Sequence, residues 1–471
     1  MLIEQFVDEG LGNSAYLVGS REAKTAVLID PLRDVDRYLA AVERNGVRLT
    51  HVLDTHLHAD FVSGAREVAA KTGAVIGASA EAKVGFEHRP LVDGDHIWLG
   101  ESALHVCATP GHTPEHVSFL LHTADGTATA LFSGGALIVG GAARTDLLGH
   151  ELSAPLARHL YHTIHDKLLC LPDEVTVYPT HGAGSFCVAP ASSDRVTTIG
   201  RERLSNPLAQ PQTEKEFVER ALTGLPSYPV YYKYMRPINQ RGPSVLGGGP
   251  ELKPLSAEAV RGLMAQGVSV LDVRAAREFG ENHISGAYGI AVHAPLTTWA
   301  GWLIPFGAPL VLVARNNAEL DSAVRQLIRI GFDDLRGYLD GGMEAWEAAG
   351  LPVERVEKIT VAGLRERMKG DRDLLVIDVR QQDEWDGGHI PGATHIENGR
   401  LPAIDSLPLD RPLAVHCYSG DRSMGGISVL ARRGFRNLIE VEGGFSAWKK
   451  AGFEVEREDL VFGGTTKRDV T

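Results

Sequence analysis

The feature that most constrains the fold is an internal repeat of about one hundred residues in the second half of this 471-residue chain. The segment 271–287 recurs as 377–393, and each copy carries an Asp-Val-Arg run, a His-Ile pair and a Gly-Ala pair in the same order. The segment 331–346 recurs as 434–448, with Gly-Phe, Gly-Gly and Trp at matching places. Strand-like and helix-like patterns alternate within each copy, which predicts two small α/β domains with parallel sheets.

The residues before the repeat also alternate β-rich runs with helical stretches, and a Gly- and Pro-rich segment at 242–254 separates them from the repeat. A chain of this length has room for about three domains. We therefore predict an α/β multidomain protein with domains at 1–240, 255–353 and 354–460, the last two being the repeat copies.

The composition argues against several classes of partner. Hydrophobic residues make up 44% and charged residues 23% of the chain, as in globular proteins that bury their own cores. The net charge of −13 opposes a nucleic-acid partner, which favours a basic face. No apolar run is long enough to span a bilayer, and the four cysteines are too unevenly placed for a disulfide framework. We expect a cytoplasmic protein that binds neither nucleic acid nor membrane.

One cysteine lies where a strand meets a helix. Cys417 follows the apolar run 413–416 and precedes a helical pattern that begins near Ser423. Such a cysteine faces unpaired backbone N–H groups and the positive end of the helix dipole, and both stabilise a thiolate. Arg422 adds to this effect if its side chain folds inward. The alternative is a buried structural cysteine.

Histidines follow three predicted strands of the first domain. His56, His58 and Asp60 leave one strand together, His112 follows a Pro-Gly turn, and His181 follows a third strand-like run. Imidazole and carboxylate groups that converge on one point are suited to a transition-metal cation. Loop histidines satisfied by hydrogen bonds are the alternative for each motif alone, but three such turns favour a metal site.

The third domain resembles the rhodanese family of sulfurtransferases over its whole length. The resemblance rests on the repeated motifs and on the six-residue loop from Cys417 to Arg422. It implies that Cys417 is the nucleophile that takes up a sulfane sulfur, with Arg422 as a second catalytic residue. The residues that it assigns to the persulfide-binding loop are Tyr418, Ser419, Gly420, Asp421 and Ser423. The second domain resembles the same family, but Ala314 stands in place of the cysteine, so we expect it to be inactive in sulfur transfer.

Residues 1 to about 190 resemble the metallo-β-lactamase superfamily, which has a four-layer αββα fold. The Ser-Gly turn at 133–134, the run 144–146 and the order of the three domains are similar in particular to the persulfide dioxygenases. This resemblance implies one Fe(II) held by His56, His112 and an aspartate, with a persulfide and O₂ as substrates and sulfite as product. Two positions depart from the family pattern: Gly135 stands in place of the aspartate, and Phe61 in place of a histidine.

The departure at Gly135 leaves three forms of the metal site open. Water fills the gap and leaves a weakened two-histidine iron site, or His58 completes a three-histidine site with His56 and His112 that suits zinc as well as iron. In the third form the domain is a largely empty binding platform. We expect partial metal occupancy, since even changes outside the ligands cost metal affinity.

Other residues are expected beside the metal or the substrate: Asp60, His181, Arg144 and Asp146. Arg144 is expected to bind the carboxylate of a thiol such as glutathione, with a plain salt bridge as the alternative. Cys187 either relays sulfur near the site or is a buried, inert cysteine.

The sequence therefore predicts an enzyme that oxidises a low-molecular-weight persulfide to sulfite and transfers sulfane sulfur through Cys417. Its expected partners are glutathione or a similar thiol, O₂, and thiosulfate or sulfite, and the resemblance implies a homo-oligomer. The main alternative is a rhodanese-type sulfurtransferase whose first domain is degenerate at Gly135 and only binds thiols or partner proteins. A thioester hydrolase is disfavoured because Phe61 and Gly135 remove most of a second metal site.

Overall fold

The first domain contains two sheets of six strands packed face to face, in a computed structural model that describes residues 1–188 and 193–457. In both sheets the neighbouring strands follow one another along the chain. The strands of the first sheet are β1 (Leu2–Asp8), β2 (Asn13–Ser20), β3 (Thr25–Ile29), β4 (Arg48–Leu53), β5 (Val75–Ser79) and β6 (Arg89–Leu91). Those of the second sheet are β7 (His96–Leu99), β8 (Ser102–Ala108), β9 (Val117–His122), β10 (Ala128–Gly134), β11 (Thr176–Pro179) and β12 (Thr197–Thr198).

Helices cover the outer faces of both sheets. Tyr38 and Val68 of the helices on one side pack on Leu28 of the first sheet, while Ile199 packs on Val177 of the second. The helices of this domain are α1 (Asp36–Arg44), α2 (Ala65–Thr72), α3 (His150–His162), α4 (Ile199–Ser205), α5 (Glu214–Leu222) and α6 (Tyr232–Arg241). A third apolar layer between the sheets completes the four-layer αββα arrangement.

The second domain is built on a five-stranded parallel sheet of order β13-β18-β17-β14-β16. Its strands are β13 (Pro254–Leu255), β14 (Ser269–Asp272), β15 (His283–Ile284), β16 (Tyr288–Gly289), β17 (Leu310–Val313), β18 (Leu335–Leu339) and β19 (Val353–Glu354), where β15 and β19 form a separate pair. Its helices are α7 (Ala257–Ala265), α8 (Ala276–Glu281), α9 (Leu296–Leu303), α10 (Asn317–Arg329) and α11 (Gly342–Ala348).

The third domain repeats this topology, with the sheet order β20-β24-β23-β21-β22. Its strands are β20 (Glu357–Ile359), β21 (Leu375–Asp378), β22 (Thr394–His395), β23 (Leu413–His416) and β24 (Leu438–Val441). Its helices are α12 (Val361–Gly370), α13 (Gln382–Asp386), α14 (Asp421–Arg432) and α15 (Gly444–Lys450). The predicted fold class is therefore confirmed. The domain ranges remain predictions, and the end predicted at residue 460 lies outside the described residues.

The repeated Asp-Val-Arg motif forms a buried ion pair in each copy. Arg274 binds Asp272 through Nη2 at 2.6 Å, and Arg380 binds Asp378 in the same way at 2.6 Å. Each arginine also donates to a backbone carbonyl of the following loop. In both copies the pair thus ties the end of a strand to the loop just after the following helix, which explains why both motif residues recur.

Helix α9 of the second domain lies between the first and third domains and is buried along its whole length. The ring of Tyr231 rests on Gly301, where a Cβ atom would be only 2.1 Å from its Cδ1. On the other side, Trp302 rests on Gly399, where a Cβ would be 1.7 Å from its Cε3. Both glycines let an aromatic ring approach the backbone closely, so the three domains share one continuous core.

A buried ion-pair network also joins the first two domains. Arg329 of α10 donates to Asp34 at 2.8 and 2.6 Å and to Asp8 at 2.5 Å. In the described residues, 1–188 and 193–457, we find no helix with the length and apolar character needed to cross a membrane.

Replacing Arg329 by alanine would leave Asp8 and Asp34 buried without their partner. We expect the free energy of unfolding to fall by about 3–5 kcal/mol in urea denaturation. The matched control is Arg336→Ala, since its pair with Asp334 is half exposed and should cost at most about 1 kcal/mol. Equal losses in the two variants would contradict this role for Arg329.

Candidate metal centre and thiol loop

The predicted metal-binding histidines meet where strands of the two facing sheets end. His56 follows β4, His112 follows β8 and His181 follows β11. Their exposed fractions are only 3%, 1% and 1%, so the cluster is closed to solvent. One ring nitrogen from each histidine lies within 4.8 Å of the other two, which is close enough for a shared cation.

Hydrogen bonds to neighbouring groups determine which ring nitrogen of each histidine keeps a free lone pair. The Nδ1–H of His112 donates to the carbonyl of Arg144 at 2.6 Å, and its buried Nε2 has no partner among the described residues. The Nδ1–H of His181 donates to Asn13 at 3.0 Å, and its Nε2 faces the Nε2 of His56 at 3.3 Å. Two nitrogen atoms that face each other at this distance gain from a cation between them.

Burial keeps the imidazoles of His56 and His112 neutral, as a metal ligand requires. Burial, together with the neighbouring His181, lowers the pKa of His112 to about 3. Burial and the surrounding histidines hold the pKa of His56 well below its usual range. The unpartnered nitrogen of His112 and the two facing nitrogens of His56 and His181 together fit a single divalent transition metal.

His58 points to a different partner. Its Nε2 lies 3.2 Å from Asp30, and Phe61 stacks on its ring at a centroid distance of 4.1 Å. Burial alone would lower the pKa of His58, but Asp30 raises it above its usual value. His58 falls instead into a second group with Asp60 and His181. The structure therefore brings His181, which we expected beside the metal, to the two histidines that the resemblance names as ligands.

Gly135 has no side chain that could bind a metal, and neighbouring atoms occupy the space that such a side chain would need. A Cβ at this position would lie 2.7 Å from Cδ2 of His112 and 2.9 Å from Cβ of Ala143. The Gly135 N–H donates to Nε2 of His116 at 2.9 Å. An aspartate here would therefore require His112 to move. Sequence reasoning missed His116, although it lies four residues after His112.

Arg144 is fully engaged by the protein. It binds Asp146 through two nitrogens at 2.6 and 2.7 Å and donates to the carbonyls of Pro226 and Phe186. Its guanidinium also lies over the ring of Tyr228. These contacts match the plain salt bridge that the sequence left open.

Cys187 is also enclosed in this region. It is fully buried, and burial raises its pKa well above the usual value. Its sulfur lies 4.0 Å from the hydroxyl of Tyr232. A thiol of this kind is a poor nucleophile, which agrees with the inert alternative.

The Cys417 loop has the geometry expected of a thiolate site. Cys417 follows β23, and its Sγ accepts the N–H of Gly420 at 3.1 Å. Ser423 lies 3.7 Å from the same sulfur, in the first turn of the twelve-residue helix α14. Cys417 is 1% exposed, while Tyr418 is 47% exposed at the mouth of the loop. The loop thus directs the backbone N–H of Gly420 at the sulfur, while the hydroxyl of Ser423 accepts from the thiol and donates to the carbonyl of Gly420 at 2.7 Å.

The Gly-Gly pair of the repeat, Gly443 and Gly444, lies directly against the Cys417 loop. Gly444 has a φ of 54°, and a Cβ there would lie 2.4 Å from the carbonyl oxygen of Cys417. Phe445 and Ser446 donate backbone N–H groups to Cys417 and Tyr418, both at 2.9 Å. Only a residue without a side chain allows α15 to approach the loop so closely.

Arg422 does not fold into the loop. Its guanidinium donates to both oxygens of Glu384, at 2.5 and 2.7 Å, at the rim of the site. The side chains of Asp421 and His293 lie 3.5 Å apart on the same rim. In the second domain Ala314 follows β17 as Cys417 follows β23, so the corresponding loop carries no thiol.

Loss of a cluster nitrogen should weaken metal binding. We expect His181→Ala to reduce affinity for Co(II) and Zn(II) by more than about tenfold in competition with a chelator. His58→Gln, which can still donate to Asp30, should stay within about threefold of the original affinity, since His58 lies outside the group formed by His56, His112 and His181. If the His58 variant loses affinity and the His181 variant does not, the ligand set is His56, His58 and His112.

Two family models match the chain. The Metallo-beta-lactamase superfamily matches residues 8–181, and the Rhodanese-like domain matches residues 256–349 and 360–451. Two curated relatives are each similar to part of the chain. "Persulfide dioxygenase ETHE1, mitochondrial" of Homo sapiens is 33% identical over 211 residues, which are 44% of this chain and 75% of that protein. "Putative sulfurtransferase YtwF" of Bacillus subtilis is 38% identical over 95 residues, 20% of this chain and 91% of that protein.

A solved structure is similar over a larger part of the chain. The metallo-beta-lactamase from Staphylococcus aureus is 30% identical, with a TM-score of 0.66, and the match covers 72% of this chain and 98% of that one. The matches agree with the four-layer first domain, its histidine cluster and the two parallel-sheet domains behind it. The chain therefore belongs to the metallo-β-lactamase superfamily, alongside persulfide dioxygenases, and carries two rhodanese-like domains after its metal-binding domain.

Proposed function

We propose that this protein metabolises persulfides, moving sulfane sulfur through Cys417 and oxidising a small persulfide to sulfite at the histidine cluster. The observation that carries the proposal is the Cys417 loop, where a buried sulfur accepts the N–H of Gly420 next to a helix N-terminus. The likeness of the first domain to a persulfide dioxygenase supports the second activity.

The loop supports a simple exchange of sulfur. The thiolate of Cys417 attacks the outer sulfur of thiosulfate or a small persulfide, and the S–S bond breaks with its electron pair leaving on sulfite or the carrier thiolate. The terminal sulfur on Cys417 then carries negative charge, which the N–H of Gly420 and the dipole of α14 stabilise. Attack by an acceptor thiolate on that sulfur releases Cys417 again.

The cluster supports metal binding by His56, His112 and His181. We propose Fe(II), with zinc as the alternative ion; iron would supply open positions for a persulfide and O₂ and exchange electrons with both. The carbonyl of Arg144 and the side chain of Asn13 hold His112 and His181 in the required tautomers. Glutathione is the carrier thiol that we propose, and a homo-oligomer remains a prediction.

A specific observation favours a second candidate function. Gly135 removes the expected carboxylate ligand, and the ring of His112 occupies the space beside it. In this candidate the protein is a sulfurtransferase, and its first domain binds a metal or a thiol without oxidising it. The two candidates share the chemistry of Cys417 and differ only in the consumption of O₂.

The transfer activity should depend on one thiol. We expect Cys417→Ser to lower the rate of sulfur transfer from thiosulfate to a thiol acceptor by roughly 100-fold or more, because the nucleophile is lost. Cys170→Ser changes an exposed cysteine of the first domain and should leave the rate unaltered. Full activity in the Cys417 variant would refute the proposed transfer.

The oxidation should depend on the metal cluster instead. Protein loaded with Fe(II) without air should consume O₂ when glutathione persulfide is added, and His112→Ala should abolish the consumption because it removes a metal ligand. Cys417→Ser should retain O₂ consumption, which separates the two activities. Wild-type protein with measured iron content but no O₂ uptake would establish the second candidate.

A further inference from the structure

The second domain has no thiol in its own loop, yet it forms one wall of the loop that has one. Trp299 of α9 lies beneath the guanidinium of Arg422, with the carbon Cζ 5.9 Å from the ring centroid. Leu303 of the same helix packs beside Gly425, in the second turn of α14. His293, just before α9, faces Asp421 at 3.5 Å. The second domain thus contacts Asp421, Arg422 and Gly425, which follow Cys417 in the chain.

Arg422 carries a positive charge at the rim of this loop, close enough to interact with Cys417. Burial alone would lower the pKa of Arg422, but Glu384 and the nearby Cys417 raise it, so the charge is permanent. Its side chain is held from two sides, by both oxygens of Glu384 and by the indole face of Trp299. An arginine has several rotatable bonds, so a single carboxylate partner leaves its position less defined than two partners at an angle do.

We propose that Trp299, supplied by the thiol-less second domain, is a positioning residue for the Cys417 loop, holding Arg422 where it attracts anionic sulfur compounds. The proposal rests on the proposed function of Cys417 as the sulfur-carrying thiol. It explains why a rhodanese-like domain without a cysteine is kept beside an intact one: its α9 helix completes the neighbour's site.

The embedding of Trp299 fits this role. Trp299 is 7% exposed and belongs to a helix that the first domain holds from the opposite side, through Tyr231 on Gly301. Its ring is therefore fixed by packing rather than by the loop that it contacts. A fixed aromatic face beneath a long cationic side chain stabilises one position of that side chain. This stabilisation is large enough to change the rate of anion capture several-fold.

The test measures charge selectivity at Cys417 and does not need sulfur transfer. Iodoacetate and iodoacetamide both alkylate a thiolate with loss of iodide, and only the first is an anion. Mass spectrometry of the full-length chain after digestion gives both rates at Cys417. Cys170, which is exposed in the first domain, serves as an internal reference.

Trp299→Leu should lower the ratio of the iodoacetate rate to the iodoacetamide rate at Cys417 by roughly 3- to 10-fold. Trp299→Phe keeps an aromatic face and should stay within about twofold of the original ratio. Trp98→Leu is the matched control, because Trp98 is 64% exposed in the first domain, and it should change nothing. The ratio at Cys170 should be the same in all variants.

A double-mutant cycle shows whether Trp299 acts through Arg422. Arg422→Gln should lower the ratio similarly, and adding Trp299→Leu to it should have no further effect. An unchanged ratio in Trp299→Leu, or independent losses in the double variant, would overturn the proposal. If the leucine variant does not fold, Trp299→Met and Trp299→Phe give the same comparison, with a lowered ratio expected only for methionine.

The sulfur-transfer assay and the double-mutant cycle test two different proposals. Absence of Cys417-dependent transfer refutes the proposed function, whereas the alkylation ratios still report whether Trp299 positions Arg422. Normal transfer with additive ratios refutes only the role of Trp299.

Discussion

The arrangement of the metal centre depends on one buried carboxylate, that of Asp30 at the end of β3. It accepts the backbone N–H of Thr55 at 2.7 Å, its hydroxyl at 2.8 Å, and the hydroxyl of Thr180. Thr55 precedes His56 and Thr180 precedes His181. A single anion therefore fixes the direction in which the chain leaves β4 and β11. A buried anion with this many donors is stable only if every donor stays in place, which makes the histidine cluster rigid.

The three domains depend on one another through α9 in a comparable way. Tyr231 rests on Gly301 and also donates its hydroxyl to the carbonyl of Asp60 at 2.6 Å, in the loop that carries the first two histidines. On the other face of the helix, Trp302 rests on Gly399 of the third domain. The first domain therefore supports the wall of the thiol loop, and the second domain in turn contacts the metal loop, where the carbonyl of Arg329 accepts the N–H of Val62 at 2.7 Å. This mutual burial gives the chain a reason to retain all three domains.

The sequence was sufficient for the architecture because the fold follows from local patterns. The repeated Asp-Val-Arg motif and the Gly-Gly pair each perform a local task, and their spacing predicts the parallel-sheet domains. The loop of Cys417 was predictable for the same reason, since a strand, a cysteine and a helix follow one another in the chain.

The orientation of individual side chains could not be predicted, because it depends on residues far away in sequence. His58 turns to Asp30, and His181 is oriented by Asn13, both of which come from strands that the histidine motifs do not contain. Arg422 points outward because Trp299 and Glu384 lie there, not because of its place in the loop. No spacing rule within a motif encodes such contacts.

Without a carboxylate at Gly135, a bound cation would lose a negative charge rather than a ligand, because His181 can take the place of the missing ligand. Three neutral imidazoles would leave both charges of a divalent ion uncompensated in a closed site, which is costly. Asp60 lies close to His181, with one carboxylate oxygen 3.4 Å from its Nδ1. One of its oxygens accepts from Asn13 at 2.7 Å, while the other is buried without a partner among the described residues. Asp60 can therefore supply, from just beyond the ligands, the negative charge that the family ligand would have supplied directly, and an anionic persulfide would supply the rest.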